Sequence, residues 1–175
     1  EHMYGLPAQS LRRVFNGVRV REPLAGWRRQ IRSEYRRRLG IADEARVAIF
    51  VGHNFRRKGL ARVLDAMALP EGRGWQLLVV GRGAIGYYQR YALQQRVSER
   101  VQFLGGRTDV AELYWASDAC LLPTYNDPCS RTVLEALSLG VTCVTTAYDG
   151  SSECIRDDET GFVVESPEQV NMIAR

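Results

Sequence analysis

The chain has 175 residues, 45% of them apolar and 25% charged; these are the proportions of one ordinary globular domain, and they exclude disordered, collagen-like and coiled-coil classes. No apolar run approaches the roughly 18 residues that cross a bilayer, and residues 1–10 lack the apolar stretch of a signal peptide. The formal charge of +4 is unevenly spread: residues 1–40 hold ten Arg against three Glu, giving +7, and the remainder is −3.

In chain order, Val14 to Val18 reads as a strand and turn, followed by a connection containing Pro23 and then an Arg-rich helix around residues 27–38. That helix is expected either to be solvated or to face another domain or an anionic membrane surface. From Arg46 onward, short β-branched runs alternate with helix-period segments, the pattern of βαβ units in a parallel sheet. Strands are predicted at 47–51, 77–80, 101–104, 119–122, 142–145 and 161–164. Helices are predicted at 59–69, 87–97, 110–116 and 132–139, with a last one opening at Pro167. The expected fold is α/β, a Rossmann-like doubly wound parallel sheet. Residues 1–40 form a linker strand and basic helix, and 41–175 the nucleotide-binding unit. Ligands of open parallel sheets lie at the carboxyl ends of the strands, which directs attention to loops 52–58, 81–86, 105–109, 123–132 and 146–153. The cysteines, Cys120, Cys129, Cys143 and Cys154, form no C-x-x-C pair, so reduced thiols in a cytoplasmic protein are expected.

Three motifs carry chemistry. Gly81-Arg-Gly83-Ala-Ile-Gly86 fits a dinucleotide fingerprint, but the acid that should grip a ribose about 20 residues later is absent from Leu104-Gly105-Gly106. A structural turn is the better account. Lys58 is the single lysine beside 23 arginines. A compact ammonium, not a planar fork, is what a narrow phosphate pocket accommodates, and Lys58 sits where the first strand hands over to a helix, a natural anion site. The third motif runs from Pro123 to Ala136 and sets Asp127 and Glu135 eight positions apart, on either side of a helix start at Cys129 to Thr132 whose first N–H groups are expected to be open to an anion. Two acceptor-only carboxylates flanking an anion cradle suit a ligand with hydroxyls on both sides of a phosphate, such as a sugar nucleotide.

The stretch from Val51 to Val164 resembles the nucleotide-binding C-terminal domain of the retaining glycosyltransferases of GT-B fold known as group 1, or family 4. The resemblance is carried in order by Phe50-Val-Gly52 with Arg57-Lys58-Gly59, Val79-Val-Gly81-Arg-Gly83, Val101 to Gly105, Asp118 to Pro123, an E-x7-E motif at Asp127 and Glu135, and the block Thr145-Thr146, Gly150, Glu153, Thr160-Gly161-Phe162. Asn16-Gly17-Val18 is similar to that family's interdomain linker. The resemblance implies the donor half of an enzyme that moves a sugar from a UDP- or GDP-sugar to a hydroxyl acceptor, in lipopolysaccharide or surface-glycan synthesis. A stand-alone nucleotide-sugar or dinucleotide binding module without catalysis is the alternative.

It further implies Lys58 and Asp127 as catalytic groups. The donor would be held by His53, Arg56, Arg57, Lys58, Arg107, Asp127, Pro128, Cys129, Ser130, Arg131, Thr132 and Glu135, with Lys58 on the pyrophosphate, Glu135 on the ribose and Asp127 on the transferred sugar. No D-x-D triplet occurs, so neither a metal nor another cofactor is expected. The expected partners are the nucleotide sugar, an N-terminal acceptor domain that this chain does not contain, and the inner face of an anionic membrane. Nucleic acid is not among them, because the aromatics of the basic segment lack stacking-platform spacing. Two departures stand out: His53 follows Gly52 where the family often has Arg, and Asp127-Pro-Cys-Ser130 replaces a Glu-Pro-Phe-Gly sequence.

Overall fold

The computed structural model describes residues 26–175 together with Gly5, Pro7, Ser10, Arg12, Val14 and residues 16–19. The elements are α1 (Trp27–Arg38), β1 (Arg46–Val51), α2 (Leu60–Ala68), β2 (Trp75–Val80), α3 (Ile85–Gln94), β3 (Val101–Gly105), α4 (Val110–Ala116), β4 (Ala119–Leu122), α5 (Arg131–Ser138), β5 (Thr142–Thr146), β6 (Gly161–Val164) and α6 (Val170–Ala174). Of the strand expected at 14–18, Val14 and residues 16–18 show no regular structure and Phe15 lies outside the described residues, as does the connection at Pro23.

All six strands are parallel, in the order β3-β2-β1-β4-β5-β6. Parallel strands are covered on both faces and so read as continuous apolar runs; Val47, Ala48, Ile49 and Phe50 of β1 and Leu77 to Val80 of β2 are accordingly all buried. Right-handed crossovers put α2 and α3 on one face and α4 and α5 on the other. The apolar stripe of α2, Leu60, Val63, Leu64 and Met67, is fully withdrawn from solvent, as its spacing predicts.

Two helices differ from expectation at their ends. α3 stops at Gln94 because Arg96 adopts a left-handed backbone, φ 58°, and α6 begins at Val170, three residues beyond Pro167. A larger difference lies in α1, whose Arg-rich sequence suggested a solvated face. It packs on α4, and Arg36 is fully buried. The Arg36 guanidinium donates to the carbonyls of Ala116 (2.9 Å), Asp43 (2.7 Å) and Ala45 (2.8 Å) and to Asp118 Oδ2 (2.9 Å). Arg32 takes Asp118 Oδ1 at 2.5 Å, and the Val47 amide also donates to Oδ2 at 2.8 Å. One carboxylate thus joins α1 to the starts of β1 and β4. Burial and the neighbouring Arg32 lower the Arg36 pKa, with Asp118 working in the opposite direction; the paired carboxylate and carbonyls are what make a buried guanidinium tolerable.

Candidate functional site

Between β1 and β4 the strand order reverses, since β1 leads on to β2 and β4 to β5. A crevice opens at the carboxyl ends of such a strand pair. The loop leaving β1 folds back on itself: the Lys58 amide donates to Asn54 O (2.9 Å) and the Arg57 amide to Asn54 Oδ1 (3.1 Å). Gly59 then starts α2 at φ 79°, and a Cβ there would collide with the Pro123 carbonyl, so only glycine lets the two loops meet. They are tied further by Tyr125 N and Thr124 Oγ1, which both donate to Arg57 O, at 2.8 and 3.1 Å. This docking brings Lys58, 8% exposed, onto Asp127.

The Lys58 ammonium donates to Asp127 Oδ2. Arg57 approaches the same oxygen at 3.4 Å while donating to Asn126 O at 2.6 Å, and the Cys129 amide donates to Oδ1 at 3.2 Å. Burial pushes the Asp127 carboxyl up, but the hydrogen bond and charge of Lys58, the Cys129 amide and Arg57 together outweigh it and hold the carboxyl below its ordinary value. Asp127 is therefore a carboxylate, and the site carries a built ion pair.

The loop that holds Asp127 is braced from the far side by Asp149, a fully buried residue that the sequence reading did not single out. Asp149 Oδ1 accepts from the amides of Ser130 (3.1 Å) and Ser151 (3.0 Å) and from Ser151 Oγ (2.6 Å), and Oδ2 lies 3.1 Å from Thr145 Oγ1. The backbones are stitched alongside, with Asp127 N donating to Tyr148 O (3.0 Å) and Gly150 N to Asp127 O (2.8 Å). Position alone pointed to loop 146–153. Within it, Tyr148-Asp149-Gly150-Ser151 reads as a local cap, Asp149 to Ser151, and nothing in that stretch marks the bond to Ser130, 19 residues away, that braces the donor loop.

α5 begins immediately after this loop. Two of the four amides expected to be open, those of Cys129 and Ser130, are taken by Asp127 and Asp149, which leaves Arg131 and Thr132 at the helix start. Ser130 Oγ is buried and has no hydrogen-bond partner among the described residues. Thr132 Oγ1 donates to Val51 O (3.2 Å), and Tyr114 OH donates to Thr132 O (3.1 Å), which fixes the helix start over the end of β1. One turn on, Glu135 is partly exposed, 3.2 Å from Arg131, and opens onto a cleft of ≈360 Å³ shared with Thr108, Tyr114 and Arg19.

The remaining predicted residues divide. His53, Arg56 and Arg57 line a separate cavity of ≈1210 Å³ together with Tyr87 and Tyr125. Arg107 is committed to Asp109 through two hydrogen bonds of 2.8 and 2.6 Å, and Asp109 also accepts from Tyr35 OH at 3.1 Å. Arg107 therefore makes none of the Lys58–Asp127 contacts. In the 81–86 segment Gly81 serves the backbone: it has φ 131°, a Cβ on it would strike the Gly52 carbonyl, and its amide donates to Gly105 O at 2.7 Å, while a Cβ on Gly83 would meet the Phe55 ring. The turn lets the ends of β1, β2 and β3 converge.

The order of these features along the chain has a counterpart among known proteins, because a model of the family described as glycosyl transferases group 1 matches residues 31–175. The chain belongs to that family. A curated relative, the lipopolysaccharide glucosyltransferase WaaG of Escherichia coli strain K12, is 35% identical over 150 residues, covering 82% of this chain and 40% of WaaG. The crystal structure of a WaaG superposes with a TM-score of 0.76 at 36% identity, over 83% of this chain and 41% of that one. Anabaena HepE, solved in complex with UDP-glucose, has a TM-score of 0.72 at 23% identity, over 83% of this chain and 42% of HepE, and shares the fold. The chain spans less than half the length of each of these relatives. The six-stranded, all-parallel open sheet matches the Rossmann-like domains of GT-B glycosyltransferases.

Proposed function

We propose that this chain is the donor-binding part of a retaining glycosyltransferase that uses a nucleoside diphosphate sugar, without a divalent metal. The observation that carries the proposal is the Lys58–Asp127 ion pair at the strand-order reversal, with Asp127 eight positions before Glu135. Lys58 takes the pyrophosphate, whose charge rises as the glycosidic bond breaks through an oxocarbenium-like state. The Arg131 and Thr132 amides and Arg57 add further donors to that leaving group. Glu135 accepts from the ribose hydroxyls in its cleft, and Asp127 from hydroxyls of the transferred sugar. Lys58 and Asp127 are paired here, so donor binding inserts a phosphate and a sugar into an existing ion pair and exchanges one set of charge-assisted bonds for another.

Kinship with a lipopolysaccharide glucosyltransferase supports glucose as the transferred sugar and a surface glycan as the product. The acceptor then lies at the cytoplasmic face of a membrane, where Arg29, Arg37 and Arg38, three of the exposed arginines of α1, meet anionic headgroups. The acceptor domain is a further part of the full enzyme. UDP-glucose is the natural first probe, because the same fold holds it in HepE. Calorimetry with UDP and UDP-glucose, with and without EDTA, is expected to show binding of both that EDTA leaves unchanged, while this chain alone transfers no glucose. Absence of binding to both, or binding only with added metal, refutes the proposal.

A further inference from the structure

The ≈1210 Å³ cavity beside the ion pair is lined by His53 and three arginines, Arg56, Arg57 and Arg62, and by no carboxylate. The cations are not equally engaged. Arg57 is drawn to Asp127 and Asn126, and Arg62 is balanced by Asp65 and Glu168. Arg56 is exposed and makes no ion pair among the described residues, while His53 meets only the Arg82 amide, at 3.4 Å. An unneutralised guanidinium, an imidazole and a second guanidinium lining one cavity make a site for a multiply charged oxyanion, since a phosphate monoester accepts several such donors at once.

The same wall is aromatic. Tyr87 is 55% exposed, although its ring is held in place by Tyr88, edge-on with centroids 5.0 Å apart, and by Tyr91, stacked at 6.4 Å and 16°. A large ring kept rigid yet open to solvent costs little entropy to bind against, and it offers the flat apolar surface on which the C–H face of a sugar ring packs. Glu135, by contrast, opens onto the other cleft.

We infer that this cavity is a second subsite, distinct from the donor cleft, that binds a sugar bearing a phosphate monoester, with the phosphate on Arg56 and His53 and the ring on Tyr87. On the transferase reading its occupant is the phosphorylated end of the acceptor. That assignment rests on the proposed function, whereas binding of the sugar phosphate does not.

The test is an NMR-detected titration of the 175-residue protein with glucose 6-phosphate, glucose and inorganic phosphate, each with and without saturating UDP. Glucose 6-phosphate is expected to bind at least tenfold more tightly than either of its parts, and UDP to leave that affinity unchanged. Arg56→Gln should weaken it about tenfold. Tyr87→Leu should reduce it to the level of inorganic phosphate, and Glu135→Ala should leave it intact. Equal affinity for inorganic phosphate and glucose 6-phosphate overturns the inference, as does displacement by UDP, which makes the cavity part of the donor site. Failure of UDP to bind while glucose 6-phosphate binds leaves this inference standing and removes the donor proposal instead.

Discussion

Replacing Asp149 separates geometry from charge in the brace behind the donor loop. In Asp149→Ala the amides of Ser130 and Ser151 lose their acceptor in a buried place. The Ser151 and Thr145 hydroxyls can turn elsewhere, Thr145 already lying 2.9 Å from the Leu122 carbonyl. Two stranded amides at about 1–3 kcal/mol each give a loss of about 2–6 kcal/mol, a large share of an ordinary domain's stability. Asp149→Asn should behave differently. Its remaining oxygen keeps the Ser130 and Ser151 bonds, and its NH2 donates to Thr145 Oγ1 while that hydroxyl donates to Leu122. Every polar atom stays paired and the cost falls to about 1 kcal/mol or less. All the partners of Asp149 among the described residues are neutral, so no ion pair is lost. Urea denaturation monitored by circular dichroism gives both numbers, and UDP-glucose affinity should follow the same order. An Asn variant as damaged as the Ala variant would show that the charge matters, and an undamaged Ala variant would show that the loop is held by its backbone alone.

Three further outcomes follow from the same contacts. Lys58→Met should cost roughly 3 kcal/mol near neutral pH by leaving the Asp127 carboxylate buried without its ammonium. Because the folded-state pKa of Asp127 lies below its usual 3.8, the stabilisation is present above about pH 4 and is lost as pH falls through that lower value, so the gap between the two proteins should close in acid denaturation profiles. Asp127→Ala should leave UDP affinity unchanged or raise it, since it frees Lys58, while removing about 1–3 kcal/mol of the advantage of UDP-glucose over UDP; Glu135→Ala should weaken both ligands equally in the same calorimetry. Arg36→Ala should cost about 3–5 kcal/mol in urea melts by stranding three carbonyls and half of the Asp118 pairing, and Arg36→Met should recover only the part due to the stem.

The fold was legible because parallel strands buried on both faces must be apolar throughout, and the runs at Val47 to Val51 and Leu77 to Val80 have no other plausible use. The meeting of Lys58 with Asp127 was foreshadowed for a different reason: the single lysine and an acid stand on two strand-to-helix loops that the topology brings together where the strand order reverses, whereas Glu135 stood out only by its spacing from Asp127 and lies within α5. Three things were not legible. Arg36 has the same neighbours in sequence as the exposed Arg37 and Arg38, and only the helix phase relative to α4 buries it. Asp149 acts on Ser130 from another strand's loop. The split of the predicted cations, Arg107 to Asp109, Arg131 to Glu135, Lys58 and Arg57 to Asp127, with Arg56 left open, depends on side-chain directions that spacing does not encode.

The Asp118 clamp also bears on how the chain is made. α1 leaves the ribosome before the carboxylate it needs, which follows 82 residues behind Arg36, a wait of about 4–16 s at typical rates of ~5–20 residues per second. In the course of that interval β1, β2 and β3 are synthesised, yet neither β4 nor the Asp118 that pins α1 beside it exists. A helix with an apolar face of the usual breadth would expose a sticky surface for the whole period. One built as Trp-Arg-Arg-Gln-Ile-Arg-Ser-Glu-Tyr-Arg-Arg-Arg stays hydrated and self-repelling until its single deeply buried side chain, itself charged, finds the partner that lets it dehydrate. The arginine content of the segment thus doubles as a safeguard during synthesis, and the later arrival of Asp118 sets the moment at which α1 is locked to the sheet.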